Sequence, residues 1–132
     1  MSETIGTVRQ AILAVDAALA HAGFVRDAEV EGSEAAGMRY RLRISDMGPH
    51  EAMAQDWAIE LHVFLIVPIL PGLESETSIA APEATEKLAG VVASLNGKYG
   101  VGVNYQGSTL GRTGPDYVSD SVFTVAYMYQ AI

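Results

Sequence analysis

The thirteen residues 56–68, DWAIELHVFLIVP, alternate along their whole length, and that pattern decides more about the fold than any other stretch. Trp57, Ile59, Leu61, Val63, Leu65 and Val67 fall to one side, and Ala58, Glu60, His62, Phe64 and Ile66 to the other. A period of two lines one face of a strand, whereas a helix would scatter the same residues around its circumference. The second face turns from polar to apolar, so the strand is half solvated at one end and covered at the other. Pro68 and Pro71 end it, since proline has no N–H to give a ladder. One continuous apolar face requires partner strands and a layer to cover it.

Met38–Ile44, MRYRLRI, alternates just as strictly, with Met38, Tyr40, Leu42 and Ile44 on one side and Arg39, Arg41 and Arg43 on the other. A covering layer is visible at the start of the chain. In residues 2–22, Ile5, Val8, Ile12, Val15, Leu19 and Ala22 recur at spacings of three and four and make one apolar stripe. Ser2 is placed to cap this helix and Gly23 to stop it. Phe24–Val30 reads as a short strand, residues 31–37 as a polar turn and Ser45–Gln55 as a loop with a Gly-Pro breaker. Leu73–Ala81 reads as part of a linking loop. Pro82 then opens a second helix, with Glu83 and Glu86 at its positive end and Ala84, Leu88, Val91 and Leu95 buried, closed by Asn96-Gly97. Residues 99–106 form a Gly-rich strand, Gly107–Tyr117 a flexible loop, and 121–132 a last strand with Phe123, Val125, Tyr127 and Tyr129 on one side. The order is α-β-β-β-α-β-β: an α+β fold, with two helices on one face of a mostly antiparallel mixed sheet of four to five strands. Residues 1–132 make one domain, a size that commonly forms a single core.

Composition narrows the function. Eight Lys and Arg stand against sixteen Asp and Glu, a formal net charge of −8. Such a chain lacks the broad basic face that phosphate backbones require, so nucleic-acid readout is not expected. There is no cysteine, which removes disulfides and thiolate chemistry. The opening MSETIGTVRQ lacks the apolar core of a secretory signal, and the longest apolar run, Val63–Pro71, falls short of the roughly 18–20 residues that span a bilayer. A soluble protein with no membrane partner is expected.

Chemistry is hard to place in this chain. His21, His50 and His62 follow no metal-binding spacing, and neither a metal nor a cofactor is expected. His62 beside Glu60 is a possible acid–base pair with no third partner in view; a surface pair is the stronger reading. Gly107–Gly114, GSTLGRTG, lacks the Lys-Ser/Thr ending of a phosphate loop. No catalytic residue is expected. The arginine row remains. As a solvated strand face it would pair with Glu60, and with Asp56 or His62, on the neighbouring strand. Exposed pairs contribute only about 0–1 kcal/mol each, so stability explains the row poorly. Arginine is favoured at interfaces because its planar fork pairs with carboxylates and stacks on rings. Arg39, Arg41, Arg43, Glu60 and His62 are therefore the candidate subunit or partner interface.

Laid out in this order, the chain resembles the tail terminator (minor tail) proteins of long-tailed bacteriophages. In that family a central strand of the type W-x-x-E-L-H-[IV], preceded by an acidic loop, ends at a proline before the second helix. Trp57, Glu60, Leu61, His62 and Val63 fall into that pattern. The C-terminal YVSDSVFTVAYMYQ is similar to the family's last strand, and the N-terminal helix and length also fit. The resemblance implies a structural virion protein, not an enzyme. It would be made in the host cytoplasm and form a hexameric ring at the head-proximal end of the tail. Its partners would be copies of itself, the tail tube protein and a head-neck connector protein. Another neck or tail-completion component and a small cellular α+β binding domain are the rival expectations.

Overall fold

A computed structural model describes residues 4–27, 37–49 and 56–130. Its elements run α1 (Val8–His21), β1 (Arg39–Pro49), β2 (Asp56–Pro68), α2 (Glu74–Ala93), β3 (Gly102–Thr113) and β4 (Asp116–Met128). The strands form one antiparallel sheet in the order β1-β2-β4-β3. Both helices cover the same face, so the expected α+β architecture holds. Four strands occur among the described residues: of Phe24–Val30, the described part makes a parallel bridge from Arg26 to Tyr40. Its backbone contacts are Asp27 N–H to Tyr40 C=O at 2.8 Å and Tyr40 N–H to Val25 C=O at 2.9 Å. Residues 28–36 lie outside the described residues.

The helix α1 starts later than its apolar stripe suggests. Ser2 lies outside the described residues, and Thr7 is the cap. The Thr7 hydroxyl accepts from Gln10 N–H at 3.2 Å, while Gln10 Oε1 accepts from Gly6 N–H at 2.8 Å, a reciprocal closure of the first turn. Gly6 itself is fixed by close approach: a Cβ there would meet Gln130 Cβ at 2.7 Å. Ala11, Val15 and Leu19 are buried, with Val8, Ile12 and Ala22 packed beside them, and Gly23 ends the helix at φ +95°.

Four assignments change. Ser45–Pro49 continues β1, and residues 50–55 lie outside the described residues. Leu73–Ala81 is not a loop, because α2 begins at Glu74 and carries Pro82 inside it. Thr77, Ala81, Thr85, Leu88, Ala89 and Val92 are buried, at helical spacing that runs through the proline. Ala84 and Val91 are only partly buried, so the inner face is turned by about one residue from the expected stripe. Finally, Gly107–Tyr117 is the tip of a β3–β4 hairpin whose Thr113↔Asp116 pair closes over Gly114-Pro115. No helix among the described residues is long and apolar enough to cross a membrane.

The core lies between the helices and one sheet face: Tyr40 from β1, Ile59, Leu61, Val63 and Leu65 from β2, and Phe123, Val125 and Tyr127 from β4. Each such side chain, fully buried, contributes roughly 1.5–3 kcal/mol. The odd-numbered face of β2 predicted from period two is the core face.

Candidate functional site

Because both helices sit on the Tyr40–Leu61–Phe123 side, the other sheet face has no covering layer among the described residues. Register sets its rows. Arg39, Ile66 and Val118 lie side by side, then Arg41, Phe64 and Asp120, then Arg43, His62 and Val122. The arginines begin β1, and in an antiparallel pair that places them opposite the apolar end of β2. Glu60 is opposite Asp46, and Asp56 is opposite Met128 on β4. The expected pairing of the row with Glu60 or Asp56 is therefore not formed.

Asp27 is the acid that two of the arginines hold. Arg39 Nε lies 2.9 Å from Asp27 Oδ1, and Arg41 Nε bonds Asp27 Oδ2. The Asp27 side chain is 3% exposed, that of Arg39 21% and that of Arg41 59%. The Arg39 Nε–H is poorly aligned with the carboxylate, so that contact is ionic more than hydrogen-bonded. Arg39 also donates from its guanidinium to Gly37 C=O at 3.2 Å. Arg43 is exposed, faces His62 across the pair, and has no ion pair among the described residues.

Beside Arg43 a hydrogen-bonded chain crosses three strands. A β-bulge between Ile44 and Asp46 puts one extra residue, Ser45, into β1. The Ser45 O–H donates to Glu60 Oε2 at 2.6 Å, and Ser45 Oγ lies 2.9 Å from His62 Nε2. His62 Nδ1–H donates to Asp120, 2.9 Å from Oδ1 and 3.0 Å from Oδ2. Carboxylates stand at both ends of this chain and can only accept. The His62 ring also stacks on Phe64, with centroids 5.9 Å apart.

Of the five residues named from sequence, the structure brings Glu60 and His62 together, sets Arg43 next to them, and gives Arg39 and Arg41 a separate task. Asp120 and Ser45 escaped notice. Extending the alternation of β4 backwards from Val122 reaches Asp120, so it was within reach; a bulge leaves no trace in residue type. No group of three or more potential metal ligands occurs among the described residues. A concavity of about 680 Å³ lies on the outer side, between the helices, lined by Leu13, Ala17, Val91, Leu95 and Tyr99 among others. No family model matches the chain, and a search of curated proteins finds no match either.

Proposed function

We propose that the chain is a structural virion protein that forms a ring at the head-proximal end of a phage tail tube, stops tube growth and offers the joining surface to the head. The observation that carries this reading is the open sheet face, where partly exposed Phe64, Val118 and Val122 lie beside a row of arginines. Apolar side chains set among polar and charged ones, arginine above all, are what an interface formed after folding looks like. A ring subunit needs two different complementary surfaces, which a sheet covered on one side only can supply. The central position of β2 between β1 and β4 supports the resemblance carried by Trp57–Val63. The ring is a hexamer that meets the tail tube protein on one side and the neck connector on the other, and it acts without a cofactor. Light scattering over a concentration series, with negative-stain images, tests this. A six-fold ring is expected or, failing that, capping of tube ends in a mixture with tube protein. A chain that stays monomeric in both assays overturns the reading.

One observation favours a second reading. Ser45, His62 and Asp120 stand in the order of a serine nucleophile, its base and the carboxylate that orients the base. The Ser45 hydroxyl, however, also donates to Glu60 at 2.6 Å, so Glu60 competes with His62 for its one proton. Treatment with a fluorophosphonate is expected to leave Ser45 unlabelled. Stoichiometric labelling at Ser45 would move the chain to the acyl-transfer enzymes.

A further inference from the structure

The acidic side of the molecule is as organised as the arginine row. On α2, Glu76, Ile79, Glu83 and Glu86 are all exposed and lie on the side opposite buried Thr77, Ala81, Thr85, Leu88 and Val92. Ile79, 63% exposed, stands amid the three carboxylates. Lys87 neighbours them but is turned toward the end of α1, where it donates to Ala22 C=O at 3.1 Å and sits 5.4 Å over the Phe24 ring. Because α2 lies on the covered side of the sheet, this stripe faces away from the arginines. The two patches are separated by a helix and a sheet, roughly 20 Å of protein, and cannot meet within one subunit.

We infer that they meet between copies: the outer face of α2 of one subunit docks on the arginine end of the open sheet face of the next. This contact rests on the ring reading and supplies its subunit seam. Arg39, Arg41 and Arg43 bring three positive charges to this end against the carboxylates of Asp27 and of Asp120, which lies in the row of Arg41, and so leave about one in excess. The lengths agree as well. Glu76 to Glu86 rises about 15 Å along a helix, and Arg39 to Arg43 spans about 13 Å of strand. Ile79 would face Phe64 and Val122, next to the row. Asp46 and Glu60, farther along the same face, repel an acidic helix and confine it to the arginine end. A contact between two different patches is heterologous, the class that closes into rings.

Charge exchange tests the contact. Arg43 is the position to change, since Arg39 and Arg41 also hold Asp27. Arg43→Glu and Glu83→Arg, each alone, are expected to weaken assembly about tenfold or more in sedimentation, and the double variant R43E/E83R to recover most of the loss. Both side chains are exposed, so unchanged thermal melting serves as the check on folding. Should a swapped chain misfold, the neutral changes Arg43→Gln and Glu83→Gln keep the test, each weakening assembly alone. A wild-type chain that assembles while the single changes have no effect, or while the double is no better than the singles, overturns this contact and leaves the ring reading standing. A wild-type chain that never assembles, alone or on tube ends, overturns both.

Discussion

The carboxylate of Asp27 is nearly out of water and is approached by two guanidiniums, one of them well exposed. Removing it strands Arg39 beside a space that water enters only partly, whereas Arg41 regains solvent. Asp27→Ala is therefore expected to cost about 1–3 kcal/mol, below the full cost of breaking a deeply buried pair, as read from the urea midpoint. Arg43→Ala, at a position with no ion pair among the described residues, should change stability by less than about 0.5 kcal/mol. A cost at Arg43 equal to that at Asp27 would mean the row acts as one structural unit. Tyr40 gives a second residue-level expectation. Its O–H donates to Asp16 Oδ1 at 2.8 Å, and burial first, then that hydrogen bond, pushes its pKa far above the ordinary value of 10.0. The folded chain keeps a proton there that the unfolded chain releases above about pH 10, so this part of the stability is intact below that pH and is lost as pH climbs toward the folded value. Burial raises Tyr127 in the same direction. Tyr40→Phe should cost about 1 kcal/mol at neutral pH and flatten, without abolishing, the alkaline fall in denaturation midpoint. An unchanged alkaline fall in Tyr40→Phe would show that other groups carry it.

Pro82 separates two descriptions of α2. As the first residue of a helix it would be well suited there, and Pro82→Ala would change little. Inside a helix from Glu74 to Ala93 it leaves the Ser78 carbonyl without its N–H donor and crowds it. Pro82→Ala is then expected to stabilise the protein by about 1–3 kcal/mol, measured by thermal or urea unfolding. The residues that mislead here are polar ones that are nevertheless buried or bonded. Thr77 reads as loop, yet its hydroxyl donates to Leu73 C=O at 2.7 Å and its side chain lies against the core. Ser119 precedes the expected last strand and Ser121 opens it, neither with an apolar mark, yet both are fully buried, Ser119 accepting from Thr85 at 2.9 Å and Ser121 sharing a proton with Ser108 at 2.7 Å. A hydroxyl that finds a partner can occupy a core face without an apolar signature, so period two fades along β4 just where it remains in force. β2 and the end of β4 were legible because aliphatic and aromatic side chains mark their inner faces. The open face was half legible, since the arginines and His62 announce themselves in the sequence. Their partners Asp27 and Ser45 depend on a bridge and a bulge that only the folded backbone creates.

At the scale of the whole molecule, a charge of −8 on each chain opposes any self-association, while the proposed docking of α2 on the arginine end would favour it. Salt separates these terms because they act over different distances. At about 0.01 M ionic strength the Debye length is about 30 Å, so whole subunits repel one another. Near 0.1 M it falls to about 10 Å; the long-range repulsion is then largely screened, while carboxylates and guanidiniums in contact still attract. Near 1 M, with a length of about 3 Å, the contact pairs weaken too. Assembly is therefore expected to be strongest at intermediate salt and weaker at either end, measured by sedimentation equilibrium at the three ionic strengths. A steady gain with salt would assign the association to apolar burial, with Ile79, Phe64 and Val122 as its centre and the charges as bystanders. A steady loss would mean that contact pairs outweigh the net charge even where it is least screened. With three carboxylates facing an excess of about one positive charge in the proposed seam, against a net charge of −8 spread over each subunit, the maximum between the extremes is the outcome the charge distribution supports.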